Sequence, residues 1–265
     1  MRNLRWISLL AVAILLFAAP PVARAADEEA SPHPKYMVIH VDEVEPSMQS
    51  DYEKVNLKWV ETFKEKRMGP EWNWWASNSL FTYVWASPME EYSFLDGQDA
   101  RYEKMAEVLG EEKMSELMAG GKAIKSHYTE ILKYMPELTY KPAEPASKSP
   151  AVYRVTSHMV KPAMTEQFES LVKEVVAAFA KAGAQVNFTG YQTQYGTGSY
   201  YFTTMADSEE QLQGFPTTSE ILAQAVGEER TAQILEEWRN CIDDYDTEDY
   251  QIRPDLTFVA AEKTD

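Results

Sequence analysis

Two stretches of the chain carry the same pattern of apolar and polar positions. In the first, Met48, Tyr52, Val55, Trp59 and Phe63 recur at spacings of four, three, four and four; in the second, Met164, Phe168, Leu171, Val175 and Phe179 do the same. Each set makes one apolar stripe along a helix that must lie against other structure. Each helix is entered through a proline, Pro46 or Pro162, where a missing amide proton leaves no bond unmade. Before each lies a strand-like segment, Tyr36-Met37-Val38-Ile39-His40-Val41 and Val152-Tyr153-Arg154-Val155-Thr156-Ser157-His158, in which alternate side chains share a face.

The correspondence continues to the end of each unit. A hairpin is predicted from Trp72-Asn73-Trp74-Trp75 to Leu80–Trp85, turning near Ser77-Asn78-Ser79, and again from Val186–Gln194 to Tyr200–Thr204, turning at Gly196-Thr197-Gly198. Helical pieces follow, with Leu109-Gly110-Glu111-Glu112 echoed by Val226-Gly227-Glu228-Glu229. Last strands are predicted near Thr129–Met135 and Thr247–Arg253. Both are closed by a shared terminator, Pro136-Glu137-Leu138-Thr139-Tyr140 against Pro254-Asp255-Leu256-Thr257-Phe258. An internal duplication is therefore the organising fact of the sequence. The predicted boundaries are a first repeat over 35–141, a Pro-, Ala- and Ser-rich linker over 142–150, and a second repeat over 151–260.

Residues 1–25 read as a secretory signal peptide. Arg2 and Arg5 precede an apolar run from Ile7 to Ala19, and Ala23-Arg24-Ala25 is a small-x-small cleavage site. The run is shorter than the ~18 residues of a membrane span. A periplasmic or secreted protein is expected, with a polar leader over 26–34 and no membrane association after cleavage. Removing residues 1–25 takes away three arginines and moves the formal charge from −17 to −20. Such an acidic surface excludes nucleic acid as a partner. Cys241 is the only cysteine, so no internal disulfide supports the fold, and the apolar core must.

Each repeat reads strand, helix, strand, strand, helix, strand, the order of a split βαβ or ferredoxin-like unit. Such a unit covers one sheet face with its helices, and a tethered second copy can cover the other. The Val-x-Pro-x-Met entries and the Tyr52-Glu53 and Phe168-Glu169 pairs that follow resemble the dimeric α+β barrel superfamily. Its groups include the NIPSNAP-like, antibiotic-biosynthesis-monooxygenase-like, haem-degrading and chlorite-dismutase proteins. NIPSNAP-like proteins commonly carry Gly after the entry proline, where Ser47 and Ala163 stand here. The resemblance spans residues 36–258. It implies an α+β fold of two tandem ferredoxin-like repeats, an intramolecular pseudo-dimer whose sheets enclose a cavity on the faces turned away from the helices.

On that expectation Met37, Ile39 and Val41 pack on helices, while Tyr36, His40, Arg154, Thr156 and His158 point into the cavity. The aromatic face of Phe81, Tyr83 and Trp85 is assigned there too. A ligand site is expected from His40, Tyr83, Trp85, Arg154, His158 and Tyr201. The histidines would serve as hydrogen-bond partners or acid/base groups, Arg154 would hold an anionic group, and the aromatics would stack on a small apolar or aromatic molecule. The plainer account of each histidine is a ring satisfied in the barrel wall, and of the aromatics a heavy core. No cofactor is called for. Phosphate-loop, nucleophile-elbow and dinucleotide motifs are missing, no close-spaced metal-ligand set occurs, and the motifs place no axial ligand for haem. Three functional classes follow: a small-molecule-binding protein, a cofactor-independent monooxygenase-like enzyme, and a non-catalytic protein-interaction module with a filled barrel. The copies differ at His40 against Thr156 and, by sequence offset, at Trp85 against Thr203, and those differences are where function is expected.

Overall fold

The computed structural model describes residues 33–194 and 198–261. The signal peptide, nearly all of the leader and most of the Gly196-Thr197-Gly198 turn lie outside the described residues. The first repeat runs β1 (Tyr36–Val44), α1 (Gln49–Glu65), β2 (Trp75–Ser79), β3 (Thr82–Met89), α2 (Ser93–Asp96), α3 (Gln98–Leu109), α4 (Glu111–Met118) and β4 (Ile124–Tyr134). The second runs β5 (Val152–Val160), α5 (Thr165–Ala182), β6 (Thr189–Thr193), β7 (Ser199–Ala206), α6 (Glu209–Gly214), α7 (Thr218–Val226), α8 (Glu228–Cys241) and β8 (Ile242–Ile252). The strand order is cyclic, β1-β3-β2-β8-β5-β7-β6-β4, that of a closed eight-stranded barrel. The architecture is α+β, built from tandem ferredoxin-like repeats. Among the described residues, no helix is long and apolar enough to cross a membrane.

Several element boundaries differ from the sequence expectation. Pro70–Trp72 forms a 3₁₀ turn, so the second strand begins only at Trp75. Ser79 pairs with Thr82, which puts the tight turn at Leu80-Phe81, with Leu80 at φ 49°. The last strands begin five residues earlier than predicted, at Ile124 and Ile242. Their polar starts, Lys-Ser-His-Tyr-Thr-Glu and Asp-Asp-Tyr-Asp-Thr-Glu, look like loops because they are exposed, yet they satisfy their backbone groups by pairing.

The chain forms two compact units that exchange their ends. Among the described residues, the first consists of Lys35–Lys133 with 193–194 and 248–261; the second is built on Tyr134–Gln192 and 198–247. Each unit is therefore completed by the terminator of the other repeat. In the second, Leu138 and Tyr140 join a core made by Phe168, Leu171, Val175 and Phe179 of α5 with Tyr200 and Phe202 of β7. In the first, Phe258 packs with Phe63 and Trp74, and Leu256 with Tyr52 and Tyr83. The linker also belongs to the second unit: Asp207 accepts from the Ser147 hydroxyl at 2.7 Å and from the amides of Lys148 and Ser149 at 2.9 and 2.7 Å.

One clamp recurs at both exchanges. Tyr140 and Phe188 trade backbone bonds at 2.9 and 3.0 Å, as Phe258 and Trp74 do at 3.1 and 2.9 Å. The Thr139 hydroxyl donates to the Met135 carbonyl at 2.9 Å and accepts from the Gly190 amide at 3.0 Å. Thr257 makes the same pair with Arg253 and Ala76, at 2.9 and 3.0 Å. Replacing Thr139 or Thr257 by Val keeps the shape and leaves a buried amide without an acceptor. Each substitution is expected to destabilise the protein by about 1–3 kcal/mol in urea melts. A change within about 0.5 kcal/mol, the range of ordinary surface substitutions, would show that the clamp does not hold the exchange.

Candidate functional site

In both units the helices cover the sheet face that sequence alternation assigns to the opposite side. Tyr52, from the first turns of α1, donates to Asp42 at 2.5 Å, and Asp42 shares its face with His40 two residues earlier on β1. His40 pairs with Trp85 and Asp42 with Tyr83, so these too face α1. In the second unit Arg154, Thr156 and His158 pair with Thr204, Phe202 and Tyr200, and His158 lies against Phe168 of α5 and Trp238 of α8. Met37, Ile39 and Val41 are thus turned away from α1, although Met37 and Val41 are buried. Choosing the helix side by apolarity fails because neither face of β1 or β5 is left open to solvent along its length, and here the polar face lies under the helices.

The second unit holds a cavity of about 380 Å³ between its sheet and its own helices. Arg154, Thr156 and His158 of β5 and Phe202 and Thr204 of β7 form its floor. Val172, Val175 and Phe179 of α5, Leu222 of α7, and Ile234, Leu235 and Trp238 of α8 form the opposite wall, and Phe215 to Thr218 border it before α7. His158 is 6% exposed, and its Nδ1 is buried with no hydrogen-bond partner among the described residues. Burial lowers its pKa to about 4, so the ring is neutral at neutral pH. Phe168, Phe202, Trp238 and Tyr245 surround it at centroid distances of 5.7, 5.5, 5.1 and 6.3 Å.

The same positions in the first unit are filled by a polar network. Asp42 is 7% exposed and takes the Tyr52 hydroxyl on Oδ2 and the His127 ring, through Nδ1, on Oδ1, both at 2.5 Å. Trp85 Nε1 donates to Tyr52 at 3.0 Å. The Thr129 hydroxyl sits 3.4 Å from His127 Nε2 and 2.7 Å from His40 Nδ1. Burial and the Asp42 carboxylate push the Tyr52 phenol far above its ordinary pKa, which keeps it a donor. Burial, and next the neighbouring His127, hold His40 below its ordinary value, with Asp42 acting in the other direction. Among the described residues, no group of three or more His, Cys, Asp or Glu is placed to hold a metal ion.

Of the six residues expected to form a ligand site, the structure brings together Arg154 and His158 in the second unit. It groups His40, Tyr83 and Trp85 on the covered face in the first. Tyr83 is fully buried, and its hydroxyl is committed to Glu53 at 2.6 Å and Gln49 at 2.9 Å. Tyr200 repeats that arrangement with Glu169 at 2.6 Å and Gln192 at 2.7 Å, which marks it as a device of the fold. Burial, then the bond to Glu53, raises the Tyr83 pKa to about 12. Tyr201 pairs with Ser157 and falls on the opposite face from His158. Trp85, partner of His40, corresponds to Phe202, partner of Thr156, so the pairing of Trp85 with Thr203 by sequence offset is corrected. Asp42, Tyr52, His127 and Thr129 were not expected in a site from sequence, where Tyr52 stood only in the apolar stripe of α1. A carboxylate inside the apolar run of β1 was the available signal, and His127 lay outside the predicted strand.

No family model matches the sequence, and no curated protein matches it. Solved structures do match its fold. An anthrone oxidase-like protein aligns with a TM-score of 0.54 at 14% identity, over 86% of this chain and 94% of that one. A candidate monooxygenase from Fusobacterium nucleatum subsp. nucleatum aligns at 0.50 and 9%, over 82% and 91%. A mutant chlorite dismutase from Candidatus Nitrospira defluvii, in complex with cyanide, aligns at 0.50 and 11%, over 84% and 92%. The chain has the fold of the dimeric α+β barrel superfamily, to which the antibiotic-biosynthesis-monooxygenase-like and NIPSNAP-like proteins belong. It carries that fold as a tandem duplication in one polypeptide.

The neutral His158 makes stability depend on pH. Its folded pKa lies below its unfolded value, so the unfolded chain binds the proton first and stability falls as pH drops from about 6.5 to about 4. His33 and His40 act in the same direction. The His158 contribution is up to about 3 kcal/mol, at 1.36 kcal/mol for each pKa unit. Urea melts across this range are expected to show a steeper decline for the native protein than for His158→Leu. Parallel curves would mean that His158 is not held neutral.

Proposed function

We propose that this protein binds a small, largely aromatic molecule in the cavity of its second unit and acts on it in the manner of the cofactor-independent monooxygenases of the same fold. The observation that carries the reading is the His158 ring, whose Nδ1 is buried without a partner in an otherwise aromatic and aliphatic wall. A buried polar atom left unpaired is costly, and a ligand that supplies the missing bond recovers that cost. Phe188, Phe202 and Trp238 offer flat surfaces for an aromatic ring, while Arg154 at the floor suits a carbonyl or anionic oxygen.

The reading is supported by the anthrone oxidase-like and monooxygenase structures that share the fold. An anthrone is a flat tricyclic ketone with an activated methylene. Its oxidation needs only O₂: the methylene carbon gives up four electrons, one oxygen atom becomes the new carbonyl, and the other leaves as water. In this protein His158 would fix a ring hydroxyl and Arg154 the existing carbonyl, placing the methylene in the cavity. The basic, apolar and small-residue order of residues 1–25 supports an exported protein meeting such a molecule outside the cytoplasm.

Titration with hydroxylated anthrones and anthraquinones, other quinones, aromatic acids and haem tests binding through intrinsic tryptophan fluorescence, to which Trp238 contributes from the cavity wall. Saturable quenching is expected for at least one hydroxylated tricycle. Removal of the His158 hydrogen bond in His158→Leu should weaken it about tenfold, the equivalent of 1.4 kcal/mol. Oxygen consumption with the bound anthrone tests turnover. If no compound changes fluorescence or melting temperature, the binding reading fails; binding without oxygen uptake removes the enzymatic part alone.

A further inference from the structure

The first unit carries a second set of chemically active groups, at the positions where the second unit sets His158 among aromatic rings. Asp42, His127, Tyr52, Trp85, His40 and Thr129 correspond through the repeat to His158, Tyr245, Phe168, Phe202, Thr156 and Thr247. The second unit folds around the apolar Phe168 and Phe202 at these positions, so the scaffold does not require a buried carboxylate. Burying one is unfavourable unless it is well bonded, and Asp42 is bonded on both oxygens.

The hydrogen bonds run in one consistent direction. Trp85 donates to the Tyr52 oxygen and Tyr52 to Asp42. Asp42 has only acceptors, so His127 must present Nδ1–H to it, leaving the Nε2 lone pair free to accept. That nitrogen lies 3.4 Å from the Thr129 hydroxyl, its one hydrogen-bond contact among the described residues, and the His127 side chain is 49% exposed. A carboxylate that fixes a tautomer and steadies the charged ring, beneath an accessible nitrogen, is the arrangement of a general base.

We infer that His127, held by the Asp42–Tyr52 pair, is a general base for a small carbon acid that reaches its Nε2 beside Thr129 in the first unit. The substrate C–H bond breaks, its electron pair stays on the substrate, and the proton passes to His127 Nε2. Asp42 steadies the imidazolium, and the exposed ring returns the proton to water. The groups facing His127 are Asp42, His40 and Thr129, with Tyr52 behind Asp42.

The probe is 5-nitrobenzisoxazole, an aromatic carbon acid that needs one base and no co-reactant. Loss of its C3 proton forms the third bond of a nitrile and breaks the N–O bond, releasing a coloured phenolate. The full chain is expected to accelerate this at least about tenfold over free imidazole at equal concentration, a modest share of what general bases achieve. His127→Gln, at an exposed position that leaves the core intact, should reduce the rate to that of imidazole or below. Asp42→Asn should lower it about tenfold, and ¹⁵N NMR should show His127 moving from a single Nδ1–H tautomer to a mixture. A rate no greater than that of imidazole, or one unchanged in either variant, would overturn the inference.

Discussion

Each compact unit is closed by a few residues from the far end of the other repeat, and the rest of the structure depends on that exchange. Leu138 and Tyr140 complete the core around Phe168 and Phe179, while Leu256 and Phe258 complete those around Tyr52 and Phe63. The Thr139 and Thr257 hydroxyls fix the entering segments to a strand amide in each unit, Gly190 and Ala76. The Pro-x-Leu-Thr-aromatic terminator appears in both repeats for this physical reason: proline starts a turn, leucine fills the core, threonine clamps, and the backbone of the aromatic residue bridges to Phe188 or Trp74.

The interior beneath the helices could then diverge. Both copies keep the aromatic residue of the first helical turns, Tyr52 or Phe168, and the tyrosine–glutamate bond at 2.6 Å, Tyr83 to Glu53 and Tyr200 to Glu169. Around these common points one copy became polar and the other apolar. Asp42 against His158 lies at the centre of that difference, with Tyr52 against Phe168, Trp85 against Phe202 and His127 against Tyr245 around it. With a carboxylate present, a phenol, an indole and an imidazole are drawn into a bonded network. With an imidazole there instead, the surrounding rings are carbon faces and the nitrogen is left without a partner.

That divergence gives the two histidines opposite properties. His158 is enclosed by apolar side chains, and burial keeps it neutral, suited to recognising a donor. His127 stands half-exposed on a carboxylate, suited to taking a proton. A fold shared with an anthrone oxidase-like protein and a chlorite dismutase at 14% and 11% identity fixes neither property, since such a frame is independent of the groups placed on it.

The sequence by itself determined the duplication, the order of elements, the apolar stripes of α1 and α5 and the terminators, because each is written in spacing along one chain. It also marked His40, Trp85, Arg154 and His158 as unusual. Only the tertiary structure decided which strand face lies under the helices, because β1 has buried residues on both faces and β5 is partly buried along most of both, so alternation cannot rank them. The exposed starts of β4 and β8 were hidden for the complementary reason: their residues are polar, and only pairing with neighbouring strands makes them strands. His127 lies on one of those starts, and its partner Asp42 is 85 residues away. Their contact exists only once β1 and β4 are in register.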